Sequence, residues 1–348
     1  MVQPHQVFLA AVLPAIALGV SNCTAASAIV RKEYGSLTEQ ERLKYVRAIK
    51  CVLAKPSLLH TIVPATTNKF DDYAAIHVNL TTSIHVDGIF LSWHRHFVWL
   101  FEQELHQCGW PASLGIPYWD WALYPELETS PMFDGSATSL GGNGLYDPVP
   151  NGTYTALDGT VLPGGTGGGC VTTGPFANHT IYFQKLYFDT VLVGLPQNWT
   201  VPVPHCLSRD LNSWGARKFN NQSDIEYMLA KLTVGDFNTD ISGYGSSPGL
   251  HGGGHYAIGG TAFEFFGSPQ DPAFYLHHSM LDKVWNDWQA ADPVNRRYVY
   301  NGTSTIFNAD TTPEVTNSTV LEYGILGRVT AEEVQDPLSG PYYCYVYE

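Results

Sequence analysis

The fold is decided by the stretch from Ile76 to Trp121, IHVNLTTSIHVDGIFLSWHRHFVWLFEQELHQCGWPASLGIPYWDW, which carries three histidines. His77, His85 and His94 follow one another at intervals of eight and nine residues. A helix predicted from Ser92 to Gln107 would place His94 at the head of an apolar face, because apolar residues recur after it at helical spacing. A histidine in such a place is usually a hydrogen-bonded core residue, but the two other histidines favour a shared metal site.

A second histidine-rich region lies far downstream. It contains His251 and His255, separated by three glycines, and the adjacent pair His277 and His278. The first two are four residues apart, so both rings leave one face of a helix. The zinc-protease pattern H-E-x-x-H is absent, because Gly252 stands where its catalytic glutamate would be. Two sets of three imidazoles predict two metal ions bound by nitrogen alone, and Cu, Zn, Fe and Ni all suit such ligands.

Two further helices are predicted before the third histidine. Thr38 and Glu41 form a capping-box pattern that begins a helix ending at Pro56. A second helix, predicted from Asp72 to Leu80, turns His77 toward the interior. The loop that follows carries the second histidine.

The second half of the chain is predicted to hold a short helix from Asp224 to Leu232 and a long one from Asp271 to about Gln289. The long helix begins with Asp as its N-cap, followed by Pro. Each glycine between the paired histidines costs about 1 kcal/mol relative to alanine in a helix. Either metal ligation or the close approach of a neighbouring group must offset that cost. The Gly-, Ser-, Thr- and Pro-rich stretch from Pro125 to Pro204 is predicted as surface loops within one domain.

The composition allows one large core and argues against nucleic acid as a partner. The chain has 348 residues, of which 44% are hydrophobic, and its net charge is −14. A chain of this length can bury a sizeable core. Phosphate binding needs clustered Lys and Arg, but this sequence has 18 Lys and Arg and 32 Asp and Glu.

Residues 1–19 have the pattern of a secretory signal peptide, with the apolar run VFLAAVLPAIALGV. No Lys or Arg precedes the run, so a buried N-terminal helix is the alternative. The run is too short to span a membrane. The mature protein, residues 20–348, is therefore expected to be one secreted, extracellular domain. Eight Asn-x-Ser/Thr sites are consistent with a glycoprotein: Asn22, Asn79, Asn151, Asn178, Asn198, Asn221, Asn301 and Asn317.

The cysteines form an even set, as expected of a secreted chain. They are Cys23, Cys51, Cys108, Cys170, Cys206 and Cys344. Three disulfides are the simplest interpretation, and the sequence leaves all fifteen pairings open. None of the cysteines has zinc-finger spacing, which argues against a thiolate metal site.

Together these motifs resemble the tyrosinase, catechol oxidase and hemocyanin superfamily, the type 3 (dinuclear) copper proteins. The resemblance rests on H-x7-H-x8-H, W-H-R-H-F, P-Y-W-D-W, H-x3-H and D-P-x-F-x-L-H-H-x-x-x-D-x-x-W, in this order. It extends from about Val30 to Tyr347 and is strongest to the short secreted fungal tyrosinases and catechol oxidases. It implies a mainly α fold, a four-helix bundle around a dinuclear copper site with long loops and a few short strands.

The resemblance also implies the copper ligands and the reaction. The ligands would be His77, His85 and His94 for the first ion, and His251, His255 and His278 for the second, with His277 beside them. Copper and O2 would then convert o-diphenols to o-quinones, with O2 reduced to water, while the protein supplies geometry and a dry pocket. A Tyr-x-Tyr that packs near an early arginine in this family implies a contact between Tyr347 and Arg31.

Three positions refine the expected activity. Gly252 follows the first ligand of the second copper, where tyrosinases that hydroxylate monophenols often have an Asn that helps to hold a water. Phe265, thirteen residues before His278, matches the aromatic gate of catechol oxidases, and an ordinary core Phe is the alternative. Ser83 stands where some fungal relatives have a cysteine cross-linked to a ligand, so no thioether can form here.

Two acids complete the expected site. Asp282 lies one turn after His278 and is expected to fix a histidine ring, as carboxylates around metal sites do. A solvated helix acid is the alternative for Asp282. The family's water-holding acid is assigned to Asp240, the nearest upstream carboxylate.

The expected function is therefore a copper-dependent o-diphenol oxidase acting on small phenolic substrates. A tyrosinase that also hydroxylates monophenols is the first alternative. A hemocyanin-like oxygen carrier is a remote alternative, which the short chain without flanking domains disfavours. We expect no nucleic acid or membrane partner, and a monomer or weak homodimer.

Overall fold

The computed structural model describes residues 23–148, 154–155, 160–186, 188, 190–243, 247–309, 312–339 and 341–348. The expected signal peptide at 1–19 and the glycosylation sites at Asn22 and Asn151 lie outside these residues. The helices are α1 Glu39–Ala54, α2 Lys69–Leu80, α3 Phe90–Gln107, α4 Thr190–Val193, α5 Ser213–Phe219, α6 Gln222–Leu229, α7 Val234–Ser242, α8 Gly249–Ile258, α9 Ala273–Ala291 and α10 Pro293–Arg296. The strands are β1 Ile29–Arg31, β2 Gly144–Tyr146, β3 Tyr154–Thr155, β4 Val161–Leu162, β5 Gly168–Val171, β6 Thr180–Ile181, β7 His205–Cys206, β8 Val320–Glu322, β9 Arg328–Thr330 and β10 Tyr345–Tyr347.

Polar caps explain where the first two helices begin. The predicted capping box of α1 is confirmed, because Thr38 Oγ1 accepts the Glu41 N–H at 3.2 Å and Glu41 Oε2 accepts the Thr38 N–H at 2.7 Å. Helix α2 begins at Lys69, three residues earlier than predicted. The side chain of Asn68 accepts the Asp71 N–H at 3.1 Å and so starts the helix there.

The two downstream helices lie close to their predicted places. Helix α6 begins two residues earlier than predicted. Asn221 explains this start, because its side chain accepts the Asp224 N–H at 3.2 Å. Helix α9 begins at Ala273, so Pro272 occupies the N-cap position that was predicted for Asp271. Asp271 Oδ1 still accepts the Ala273 N–H at 2.9 Å, and both oxygens of its carboxylate accept from Arg209.

Helices α2, α3 and α9 are joined by stacked and edge-on aromatic rings. The ring of Phe101 on α3 stacks on that of Tyr275 on α9 at a centroid distance of 3.7 Å. Tyr73 on α2 meets Phe101 edge-on at 5.4 Å. Helix α8 packs against α5, α7 and α9. The predicted mainly helical bundle is confirmed, and no helix among the described residues is long and apolar enough to cross a membrane.

The glycines of α8 allow neighbouring groups to come close to its backbone. A Cβ on Gly254 would lie 2.2 Å from the ring of His277, and one on Gly253 would lie 2.5 Å from Asn220 Oδ1. Close approach therefore offsets the helical cost of these two glycines. Gly252 is different, because a Cβ there would meet only the Pro248 side chain, at 3.0 Å.

The two ends of the described chain are held together. Strand β1 pairs in parallel with β10, and Ile29 lies opposite Tyr345. The prediction of three disulfides is confirmed: Cys23–Cys344, Cys51–Cys108 and Cys170–Cys206. The first of these bonds closes the same junction as the β1–β10 pair.

The stretch from 125 to 204 is only partly the surface loop that its composition predicts. It contains short strands and α4, but Phe133, Leu140 and Val171 are buried in the main core. Arg209 explains this attachment, because its guanidinium donates to the Gly141 carbonyl at 2.9 Å. The same guanidinium pairs with the Asp271 carboxylate at the start of α9, so the loops are tied to the bundle.

Candidate metal centre

The three upstream histidines converge in the interior. His77 comes from α2, His85 from the following loop and His94 from α3, and all three are buried. Their ring centroids are 4.9 Å apart for His77–His85, 4.9 Å for His85–His94 and 5.8 Å for His77–His94. One nitrogen from each ring lies within 4.8 Å of the others, so the three can share a metal ion.

Backbone carbonyls orient each of these rings. The Nδ1 atoms donate to carbonyl oxygens: His77 to Phe266 at 2.7 Å, His85 to Thr81 at 2.9 Å and His94 to Phe90 at 2.8 Å. Because a carbonyl can only accept, Nδ1 carries the proton and Nε2 keeps its lone pair. The Nε2 atoms of His77 and His94 are buried and have no hydrogen-bond partner among the described residues. A metal ion would satisfy both atoms.

The downstream histidines form a second group. His251 and His255 project from α8, and His278 projects from α9. His255 Nε2 lies 3.1 Å from His251 Nε2 and 3.2 Å from His278 Nε2. Since His255 Nδ1 donates to the Ala262 carbonyl at 2.5 Å, its Nε2 carries a lone pair. The three Nε2 atoms therefore lie close enough together to bind one cation.

His277 lies within reach of the second group, but both of its nitrogens are engaged. Its Nε2 donates to the His251 carbonyl at 2.9 Å, and its Nδ1 accepts the indole N–H of Trp121 at 3.2 Å. Its ring lies nearly parallel to that of His251, with centroids 6.0 Å apart. His277 therefore positions α8 and His251, which leaves three histidines for an ion.

The two groups are neighbours. The rings of His94 and His278 stack at 4.5 Å, and those of His85 and His251 lie nearly parallel at 5.8 Å. Six imidazoles therefore surround one interior region that can hold two ions. Burial lowers the pKa of each ring, to about 3 for His85 and about 4 for His255. The rings are therefore neutral, as metal ligation requires.

Two phenylalanines that were not predicted as part of the site pack against histidines of both groups. Phe90 lies one turn before His94, and its ring is 4.7 Å from that of His251. Phe274 lies one turn before His278, and its ring is 4.1 Å from it. The signal was present in the sequence, because a Phe stands four residues before the last histidine of each set.

Phe265 and Gly252 lie at the edge of the histidine groups. The half-buried ring of Phe265 is 4.8 Å from that of His85. Gly252 is half-buried on α8, directly after His251. Both positions are therefore partly exposed beside the histidine groups.

The assignment of Asp240 as the water-holding acid is wrong. Its carboxylate pairs with Lys231 and accepts the Tyr227 hydroxyl at 2.8 Å. Helix α7 turns this side chain toward α6 and the loop after it, and away from the histidines. The distance between Asp240 and His251 along the sequence could not show which way the Asp240 side chain points.

The expectation that Asp282 fixes a histidine ring is also wrong. This buried carboxylate accepts from Arg95 at 2.5 Å and from Arg31 at 3.1 Å. The hydroxyls of Tyr345 and Tyr347 also donate to it, at 2.6 and 2.5 Å. The solvated-acid alternative fails as well, because Asp282 lies inside a buried ionic network. The implied contact of Arg31 with Tyr347 is confirmed at 2.9 Å.

A further buried carboxylate, Glu264, lies directly before Phe265 in the chain. The residue is half-buried as a whole, but both of its carboxylate oxygens are buried and have no hydrogen-bond partner among the described residues. Burial raises the pKa of Glu264 to about 7, although the charge of Lys185 acts in the opposite direction. Its ionised form is therefore destabilised in the folded protein.

Replacing Glu264 by Gln is expected to stabilise the fold at high pH and not at low pH. The folded protein keeps this proton up to a pKa of about 7, against an ordinary value of 4.5. Stability should therefore fall as the pH rises between these values, and the penalty above them is on the order of 3 kcal/mol. Denaturant unfolding of Glu264→Gln, compared with exposed Glu322→Gln, measures the effect. A Glu264→Gln stability difference that stays constant with pH would contradict this expectation.

Comparisons with known proteins agree with this site. A family model described as the common central domain of tyrosinase matches residues 67–291, which include all six histidines. Tyrosinase P of Aspergillus terreus is 41% identical over 334 residues, covering 91% of this chain and 91% of the relative. N-acetyl-6-hydroxytryptophan oxidase ivoB of Emericella nidulans is 36% identical and covers 98% of each chain.

A solved structure shares the fold. Polyphenol oxidase from Thermothelomyces thermophila, determined as a glycine-to-asparagine mutant, superimposes with a TM-score of 0.85. It is 37% identical in sequence, and the match covers 94% of this chain and 90% of that one. The predicted fold class is therefore confirmed.

Proposed function

The chain belongs to the tyrosinase family of copper oxidases, and we propose that it oxidises o-diphenols to o-quinones with O2 at a dinuclear copper centre. The observation that carries this proposal is the pair of buried histidine groups, with no carboxylate or thiolate among the converging atoms. Such nitrogen ligands suit copper. We propose that residues 20–348 form the one catalytic domain.

We assign the ligands as follows: His77, His85 and His94 to the first copper, and His251, His255 and His278 to the second. Copper, when bound, supplies the electron exchange between the diphenol and O2. The chain's own contribution is to hold six neutral rings in place, and backbone carbonyls fix the Nδ1 atoms of four of them, His77, His85, His94 and His255. Phe90 and Phe274 close the space between the groups to water, which strengthens electrostatic interactions inside it.

Phe265 is proposed as an aromatic gate at the edge of this centre. Its ring lies beside that of His85 and remains partly exposed. A planar substrate ring that approaches His85 would meet it in an edge-on or offset arrangement, which aromatic pairs prefer. The gate would thereby orient the two hydroxyls toward the histidine groups.

The preference for diphenols is proposed to arise at Gly252. A monophenol must lose a proton with a pKa near 10 before it can bind a metal ion. A positioned base, or a water held by one, typically contributes 10²- to 10⁴-fold to such a step. Glycine has no side chain to hold that water, and Asp240 lies elsewhere. A diphenol has two adjacent hydroxyls and is less dependent on this help.

Gly252→Asn is expected to raise the monophenol rate relative to the diphenol rate, by roughly tenfold or more if a water is recruited. Space permits the change, since a Cβ at Gly252 meets only the edge of Pro248. Initial rates on a phenol and its matching catechol, at equal copper content, give the ratio. Gly252→Ala is the matched control, because it adds the Cβ without the amide and should leave the ratio unchanged.

Two results would count against this role of Gly252. Wild-type protein that hydroxylates the phenol as fast as it oxidises the catechol would remove the proposed preference. Gly252→Asn protein with full copper and an unchanged ratio would place the control elsewhere.

A tyrosinase that also hydroxylates monophenols is the second candidate. It is favoured by the 41% identity to a protein named tyrosinase P. The same wild-type rate ratio separates the candidates, because only a tyrosinase converts the phenol without added catechol.

Secretion is also proposed. Three disulfides favour an oxidising compartment. Asn178, Asn198, Asn301 and Asn317 are exposed acceptor sites. Mass spectrometry of the mature chain should find residues 1–19 removed and glycans on exposed sites. An intact N-terminus without glycans would contradict secretion.

A further inference from the structure

A second phenylalanine stands outside the gate, on the segment that leads into α4. The ring of Phe188 meets that of Phe265 edge-on, with centroids 5.1 Å apart and an interplanar angle of 67°. Phe265 in turn lies 4.8 Å from the ring of His85. Both phenylalanines are half-buried, so the two rings form a series from the surface to a histidine of the first group.

The segment that carries Phe188 is attached on both sides of that residue. Before it, Gln270 Oε1 accepts the backbone N–H of Phe183 at 3.0 Å, and Leu186 is buried in the core. After it, Thr190 is buried. These contacts anchor the chain at Leu186 and at Thr190, two residues before and two residues after Phe188.

The segment from Ala262 to Gln270 fixes the position of Phe265 relative to the histidines. The carbonyls of Ala262 and Phe266 accept the Nδ1–H groups of His255 and His77. Phe265 lies between these carbonyls in the chain, and Gln270 follows a few residues later. This short segment therefore orients one histidine of each group and carries Phe265. Through Gln270 it also holds the backbone at Phe183, ahead of Phe188.

We propose, on the premise of the diphenol oxidase function, that Phe188 is a specificity-determining residue. It forms the outer half of an aromatic gate with Phe265 and limits the size of the substituent opposite the two hydroxyls of a catechol. When the two hydroxyls of the catechol are directed at the histidine groups, the substituent on the opposite side of its ring points outward past Phe265. The edge-on ring of Phe188 occupies the space that a branched substituent would need.

Phe188→Ala is expected to shift selectivity toward bulky catechols. The ratio of kcat/KM for 4-tert-butylcatechol to that for 4-methylcatechol should rise about tenfold. A pocket typically discriminates by about this factor between substrates that differ by one methylene group. Phe188→Leu keeps an apolar side chain for packing and should give a smaller rise. Phe263→Ala is the matched control, because Phe263 lies two residues before Phe265 but its ring neighbours Tyr256 at 5.8 Å.

A binding measurement tests Phe188 without turnover. Calorimetry of the copper-loaded protein with benzoate and 4-tert-butylbenzoate, which cannot be oxidised to quinones, should show a similar tenfold gain for the bulky ligand in Phe188→Ala. If no catechol is oxidised at all, the proposed function fails while calorimetry still decides the role of Phe188. Equal changes for small and bulky ligands, or the same shift in Phe263→Ala, would overturn the inference.

Discussion

Replacing either His94 or His278 by alanine is expected to remove one copper ion and nearly all oxidase activity. Each imidazole is one of three assigned to its ion, and the one other histidine that lies within the same reach among the described residues is His277. His277 is close to the second group, but its nitrogens are engaged by the His251 carbonyl and the Trp121 indole. Metal analysis of the purified variants, followed by oxygen uptake with catechol, measures both effects.

His96→Gln is the matched control for these variants. His96 is also buried on α3, two residues after His94, but its Nδ1 is hydrogen-bonded to the hydroxyl of Tyr343 at 2.8 Å. A glutamine amide can donate or accept such a bond, so both copper ions should stay. Full copper in His94→Ala or in His278→Ala would contradict the ligand assignment.

Asp282→Asn is expected to destabilise the protein by about 3–5 kcal/mol, because it removes the shared partner of two buried cations. Arg31 and Arg95 both donate to this carboxylate, and Glu102 compensates only Arg31. Burial alone would raise the pKa of Asp282, but Arg95 and Arg31 outweigh it and lower the pKa. The stabilisation is therefore present above its ordinary pKa of 3.8 and is lost as the pH falls through the lower folded value.

Denaturant unfolding at neutral pH measures this loss, with Asp287→Asn as the control. Asp287 lies on the same helix, but its ion pair with Lys283 is partly exposed, so its loss should cost less than about 1 kcal/mol. Folded Asp282→Asn should still bind two copper ions. Loss of copper without loss of stability would instead support a direct role for Asp282 at a histidine.

The histidine groups were predictable from the family resemblance, while helical spacing by itself brings together only His251 and His255. His251 and His255 share one face of α8 at any helix orientation. Their meeting with His278 depends on how α8 packs on α9, which the sequence analysis took from family resemblance. Phe90 and Phe274 escaped notice because an apolar residue one turn before a histidine is also ordinary core.

The acids were not predictable in the same way. The partners of Asp282 include Arg31 and Tyr347, which come from the two ends of the chain and meet through the β1–β10 pair. Asp240 forms its contacts with Tyr227 on α6 and Lys231 in the loop after it, so its position before His251 in the chain was misleading. The role of Asp282 depends on contacts between distant segments, which local sequence periodicity does not indicate.

The predicted starts of helices α2 and α6 were wrong by three and two residues, because capping residues begin both helices earlier. Helix α2 begins at Lys69 because Asn68 caps it, although the apolar periodicity becomes clear only at Asp72. The position of Phe188 beside Phe265 could not be predicted, because it depends on buried attachments of an irregular segment.

Oxygen uptake during copper titration shows how many copper ions the active centre needs. Metal-free protein receives increasing copper, and the initial rate of O2 consumption with 4-methylcatechol is followed. The rate should reach its maximum at two copper ions per chain, and protein with His94→Ala or His278→Ala should stay inactive throughout. Full activity at one copper ion per chain, or no O2 uptake at two, would contradict the dinuclear catechol oxidase proposed here.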